Sequence, residues 1–173
     1  MIGLEGKTLR SQRMTYRLLE EGDKPALAAL LRDREVTEPA GFLPPESPAD
    51  FDRFFTELTL YQTGVAILAE DVLIGYFHVN PYRTDQEPYA GQACVDVGFV
   101  VGKAFQGQGY GTEAVGALTA YLKDRFAWCF AAHFTENAAS RRALEKCGYT
   151  LLGAERVIIP ALGEEKECLR WVR

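Results

Sequence analysis

The chain has little of what metal and redox chemistry draws on. It carries two histidines, and its four cysteines, Cys94, Cys129, Cys147 and Cys168, form no C-x-x-C pair and stand among apolar residues. That spacing offers no ligand set for a metal and fits buried free thiols in a reducing compartment. Long apolar runs are missing too: nothing reaches membrane-spanning length, and the opening MIGLEGKTLRSQRM lacks the apolar core of a signal peptide. A soluble, cytoplasmic protein with no membrane partner is expected. Positive charge is in deficit, 19 basic against 24 acidic residues for a net −5, which argues against a nucleic-acid partner held by bulk charge. An anion held locally remains possible. With 173 residues, 47% of them hydrophobic, and no repeat or low-complexity linker, the chain reads as one domain over 1–173.

Periodicity then places the elements. Residues 14–18 make a short strand. Asp23 is a candidate N-cap, with Pro25 in the first turn and Leu27, Leu30 and Leu31 at helical spacing, for a helix ending near Arg34. A turn-rich stretch leads to a second helix carrying Phe51, Phe54, Phe55 and Leu58. Residues 65–69 and 73–79 read as a hairpin turning at Glu70-Asp71, without the favoured glycine. A long loop follows, and loops of that length are often functional. In the strand over 93–101, Val95, Val97, Phe99 and Val101 share one face, and Cys94, Asp96, Gly98 and Val100 the other. A helix with Val115, Leu118, Leu122 and Phe126, a strand over 128–134, a short helix capped by Asn137 and closed by Gly148, and strands over 149–159 and 167–172 complete the chain. The order implies an α/β (or α+β) fold, a mixed sheet covered by helices.

Between the strand ending at Val101 and the helix after it lies Gln106-Gly107-Gln108-Gly109-Tyr110-Gly111. Glycines let backbone approach an anion, and the first free N–H groups of the helix point at its oxygens, with the helix dipole behind them; phosphate or pyrophosphate is the expected ligand group. The letters exclude two other phosphate loops. A P-loop needs G-x-x-x-x-G-K-S/T, but Gly102-Lys103 is followed by Ala104 and Gly98 stands one residue too late. A dinucleotide fingerprint needs a third glycine where Thr112 stands.

The same six residues resemble the Q/R-x-x-G-x-G/A motif of the GNAT superfamily of N-acetyltransferases. The strand Asp96-Val97-Gly98-Phe99, the helix opening Thr112-Glu113-Ala114, and Asn137-x-x-Ser140 followed by Leu144-Glu145-Lys146-Cys147-Gly148-Tyr149 are similar to the branch that acetylates N-terminal alanine or serine of ribosomal proteins, as is the opening LRSQRMTYRLLEEGD. The resemblance spans nearly the whole chain and is strongest over 93–153. It implies the GNAT fold, a sheet of about seven strands flanked by about four helices and splayed at two parallel strands. It implies acetyl-CoA as cosubstrate and an amine as partner, first of all a protein or peptide N-terminus. Transfer would be direct, through a ternary complex, with no metal and no acyl-enzyme.

Residue by residue, the resemblance puts the CoA pyrophosphate on the backbone around Gln106, Gly107, Gln108, Gly109, Tyr110, Gly111 and Thr112, and the pantetheine arm beside Phe99, Val100 and Val101. Asn137 would bond the arm, or act only as a helix cap. Arg141 and Arg142 stand where the 3′-phosphate could be met, or are ordinary solvated arginines. Many relatives place a tyrosine seven residues after the asparagine, as the acid for the leaving thiolate, but here that position is Leu144. In the resembled branch Ser140 stands near the sulfur instead, where its hydroxyl and the helix dipole stabilise negative charge. Tyr149 reads as core. Asp96 is the candidate base, an electrostatic attractor of the amine, or a carboxylate satisfied by its surroundings, and His78 is the second candidate base. A small-molecule amine (antibiotic or polyamine), drawn by acidic loops over 35–46 and 85–87, is the alternative substrate, and a catalytically silent CoA-binding module the alternative class. The chain could be a monomer or a homodimer.

Overall fold

The computed structural model describes residues 2–41, 45, 47–159 and 164–173. Its elements run β1 (Leu9–Arg10), β2 (Thr15–Leu18), α1 (Lys24–Arg32), α2 (Arg34–Thr37), α3 (Pro48–Leu60), β3 (Gly64–Ala69), β4 (Val72–Tyr82), β5 (Cys94–Val101), α4 (Tyr110–Leu122), β6 (Trp128–Phe134), α5 (Ala138–Lys146), β7 (Thr150–Ile159) and β8 (Glu164–Val172). Among the described residues the eight strands form one mixed sheet in the order β1-β2-β3-β4-β5-β6-β8-β7. No helix among them is long and apolar enough to cross a membrane. The strand beyond the expected seven is β1, two residues pairing with β2 and too short to show an alternation.

Two local expectations change. Asp23 does not cap α1 with its side chain. Its buried carboxylate accepts two bonds from Arg17, at 2.6 and 3.0 Å, and one from the Glu20 amide at 2.8 Å, which fixes a 3-10 turn ahead of the helix. The helix expected to reach Arg34 is interrupted at Asp33, whose side chain accepts from the Glu35 amide at 3.0 Å and so starts α2. The hairpin between β3 and β4 turns without glycine, Glu70 and Asp71 both taking positive φ (49° and 62°) as a twist-matched two-residue turn requires.

The alternation in β5 serves two cores. Val95, Val97 and Val101 pack with Val115, Leu118 and Leu122 of α4, while Val100 packs on the opposite face with Leu27 and Leu31 of α1 and Phe55 of α3. β5 and β6 run parallel but pair only through Cys94↔Trp128, Val95↔Cys129 and Asp96↔Phe130. Beyond Asp96, β5 keeps β4 as neighbour and β6 keeps β8, so the sheet forks at Asp96 and the strand edges above it face no strand partner. All four cysteines are buried and free.

Candidate active site

The glycine turn lies at the open end of the fork. Gly107 (φ 74°) and Gly109 (φ 84°) occupy the left-handed region that L side chains rarely adopt, and a Cβ at Gly107 would meet no atom within 4 Å. Among the described residues the backbone N–H groups from 107 to 112 have no acceptor; the first helical bond is Glu113 N–H to the Gly109 carbonyl, 3.0 Å. This is a concave set of donors at the head of a thirteen-residue helix, and its chemistry fits a pyrophosphate. The Gln106 side chain donates to the Val101 carbonyl at 2.9 Å and ties the turn to β5.

A cavity of about 290 Å³ runs from the turn along the fork. Of the residues expected to hold CoA, Phe99, Val100, Val101, Gln106, Gly107, Gly109, Gly111, Thr112, Asn137 and Arg142 line it, and so does Ser140. Three do not. Gln108 folds back onto the Ala104 carbonyl, 2.8 Å; Tyr110 turns to the other side of the turn and packs edge-on against Phe105; and Arg141 pairs with Glu145 one helical turn on, 2.9 Å. Asn137 caps α5, its side-chain oxygen accepting from the Ser140 amide at 3.0 Å, and its amide donates to the Pro39 carbonyl at 2.8 Å. Ser140, in the first turn of α5, lines the cavity, and its hydroxyl has no partner among the described residues. Arg142 forms no ion pair among the described residues, and Lys146, four residues on, lines the same cavity.

Asp96 and His78 sit on the face of the sheet that carries Val100. The β4–β5 register sets Asn80 opposite Asp96 and His78 opposite Gly98, so the two candidate bases are diagonal neighbours, with Asn80 and Gly98 at the other two corners. Gly98 is exposed and a Cβ there would meet nothing within 4 Å, which makes it an open floor. The floor lies between two covered patches, the α1/α3 core and a cluster of Tyr89, Cys94, Phe130 and Val172. Asp96 is partnered by neither backbone nor His78: Arg170 of β8 donates to it at 3.2 Å and to Glu155 of β7 at 2.9 Å. Burial holds the Asp96 carboxyl above its ordinary proton affinity against the pull of Arg170, and Glu155 adds to the rise. Burial pushes the His78 imidazole below its ordinary value, toward the neutral form. Tyr149 is core, bonded to the Thr119 hydroxyl at 2.9 Å, with its phenol pushed up by burial.

Sequence reasoning missed three residues here. Lys146 was within reach, since it follows Arg142 at the i+4 spacing of a helix face. Arg170 and Arg13 carry no local signal. Arg13 stacks on the Tyr110 ring 4.1 Å from its centroid, bonds the Gln108 carbonyl at 3.1 Å and pairs with Glu113 at 2.7 Å. Glu113 also accepts from Ser11 (2.7 Å) and from the Arg13 amide (2.8 Å), pinning the start of β2 to the turn.

Comparison with known proteins agrees with this geometry. A family model described as an acetyltransferase (GNAT) domain matches residues 13–150. The structure resembles a GNAT-family acetyltransferase from Bacillus anthracis at 19% identity and TM-score 0.80, covering 96% of this chain and 97% of that one. It also resembles a ribosomal-protein-S5-alanine acetyltransferase from Vibrio fischeri at 18% identity and TM-score 0.73, covering 96% and 95%. A structure from Salmonella typhimurium solved with acetyl-CoA matches at 18% identity and TM-score 0.69, covering 94% of each chain. At these identities the likeness is one of fold. No curated protein matches significantly.

Proposed function

The chain belongs to the GNAT acetyltransferases and uses acetyl-CoA, and we propose that it passes the acetyl group directly to the free α-amine of a protein or peptide N-terminus. In this reading the amides of 107–112, which include Gln108 and Tyr110 through backbone alone, hold the pyrophosphate. Arg142 and Lys146, with Arg141 at the outer edge, meet the 3′-phosphate. The open edge of β5 at Phe99, Val100 and Val101 takes the pantetheine arm, and Asn137 offers its second amide hydrogen. Acetyl-CoA supplies an acyl group activated as a thioester.

The chain's own groups handle charge and proton. Ser140 donates its hydroxyl hydrogen bond to the departing sulfur, and the α5 N-terminus stabilises the same negative charge. Asp96 takes the proton from the attacking nitrogen, directly or through water, with neutral His78 across Gly98 as the second acceptor. One observation carries the choice of acceptor: the floor at Gly98 is open and flanked only by weak bases. Such bases suit an α-amine, with a pKa near ~8, better than an alkylamine near ~10.4.

Among the described residues the acidic positions near the site are partly offset, which disfavours a polyamine. Arg170 offsets Asp96, Glu35 pairs with Lys103, Glu38 pairs with Arg34, and Glu46 lies outside the described residues. The names of solved neighbours that act on ribosomal proteins support the same reading. A panel of N-terminal peptides and small amines incubated with acetyl-CoA and read by mass tests it. Acetylation at peptide α-amines is expected. Acetylation of small amines alone, or of nothing, overturns it.

A further inference from the structure

β4 outruns β3. Gly64 already pairs with His78 and the Thr63 carbonyl accepts from the Val79 amide at 2.8 Å, so residues 80–82 of β4 have no partner on that edge. Beyond that bond, the C-terminal half of α3 and the turn at Gln62 border this stretch around a cavity of about 460 Å³, separate from the one along the fork. Its walls are apolar and aromatic, chiefly Phe54, Leu58, Tyr61 and Phe126. One buried, unpaired acceptor and one half-buried imidazole belong to residues that line this space. Among the described residues the buried Gln62 side-chain oxygen has no hydrogen-bond partner, and His78, which also lines the space, makes no hydrogen bond. Among the described residues its one carboxylate is Glu57, which is exposed, and no lysine or arginine lines it.

The cavity also meets the acceptor floor. His78 lies opposite Gly98, and Asn80 opposite Asp96, so the same two side chains of β4 border both. A buried acceptor left unpaired is costly, and a ligand that brings a donor removes that cost. The volume falls in the range of small-molecule sites and is far more than a methyl or hydroxymethyl group fills.

Resting on the proposed transfer to an α-amine, we infer that this cavity receives the side chain of the acceptor's first residue. It selects a large, uncharged, apolar side chain that carries an N–H or O–H donor, such as an indole or a phenol, over alanine or serine.

Two measurements test this. Peptides differing only in the first residue are compared by kcat/KM, and tryptophan or tyrosine is expected to exceed alanine at least tenfold. Independently of turnover, the His78 ring resonance is followed by NMR during titration with tryptophanamide or alaninamide. The chain has only two histidines, and H78Q assigns the signal. A saturable shift with tryptophanamide alone is expected, lost in Thr63→Phe, which fills the cavity, while calorimetric CoA affinity reports that variant's fold. If Thr63→Phe fails to fold, Tyr61→Ala, which opens an exposed wall, should weaken the same shift. Peptides acetylated without preference for the large residue overturn the inference and leave the α-amine reading standing. A saturable His78 shift with no peptide acetylated supports the cavity and overturns that reading.

Discussion

Replacing Gly109 by valine separates backbone strain from ligand binding. Gly109 has φ 84°, and a Cβ there would meet only a guanidinium nitrogen of Arg13, at 3.5 Å, an ordinary contact. The cost therefore lies in the backbone, about 1–2 kcal/mol for an L residue in the left-handed region, and a β-branch adds to it. Two responses bound the result. If the turn keeps its shape, the cost falls on global stability and Tm drops by about 2–8 °C in a chain of this size. If the turn relaxes, the amides of 107–112 no longer converge, and each factor of ten in CoA affinity represents about 1.4 kcal/mol. Residues 106–109 are all exposed, so relaxation is the easier path. The expected outcome is CoA affinity at least tenfold weaker by calorimetry, in a protein that still unfolds cooperatively. Gly6→Val is the control: at φ 63° with no atom within 4 Å it carries similar strain away from the turn, and should lower Tm without changing CoA affinity. A folded G109V protein with unaltered CoA affinity would refute the pyrophosphate site.

Ser140→Ala should lower kcat about tenfold while CoA affinity moves less than twofold, because the hydroxyl acts mainly as charge develops on sulfur; wild-type turnover under limiting chemistry would leave Ser140 as no more than a residue of the first helical turn. D96N should reduce kcat over a wide pH range and erase its acidic limb, whereas a rise in amine KM alone would make Asp96 an attractor, and superimposable kcat–pH profiles would pass the base role to His78 or water. His78 has a folded pKa below its unfolded value, so its stabilising share is present above about pH 6.5 and is lost as pH falls through the lower folded value. Tm measured from pH 8 to 5 should therefore fall less steeply in H78Q, and parallel curves would deny that burial of the imidazole matters. Glu113→Ala should cost about 1–3 kcal/mol and weaken CoA binding, since three donors lose their acceptor; a double-mutant cycle with Arg13→Ala that shows no coupling would break the link to the turn.

What the sequence determined alone is what short-range geometry dictates. Gly107 and Gly109 announce positive φ because other side chains resist it, Asn137 announces a helix start because its oxygen reaches the third amide onward, and the period-two pattern of β5 separates its two faces without knowledge of what covers them. Facing within a turn was already harder. Gln108 and Tyr110 sit inside the motif yet direct their side chains away from the cavity, because one residue of rotation about a turn decides which side a side chain takes.

Tertiary structure alone decided the pairings across long separations. Asp96 meets Arg170 through the β6–β8 register, 74 residues away in sequence, and Arg13 reaches Glu113 across 100. The fork opens because β5 and β6 pair through only three residues while each keeps its other neighbour, and the second cavity exists because β3 stops where β4 continues. Local propensity sets the conformation of each segment. Strand length, register and packing between distant segments set which side chains meet, and those are properties of the assembled sheet rather than of any one stretch of chain.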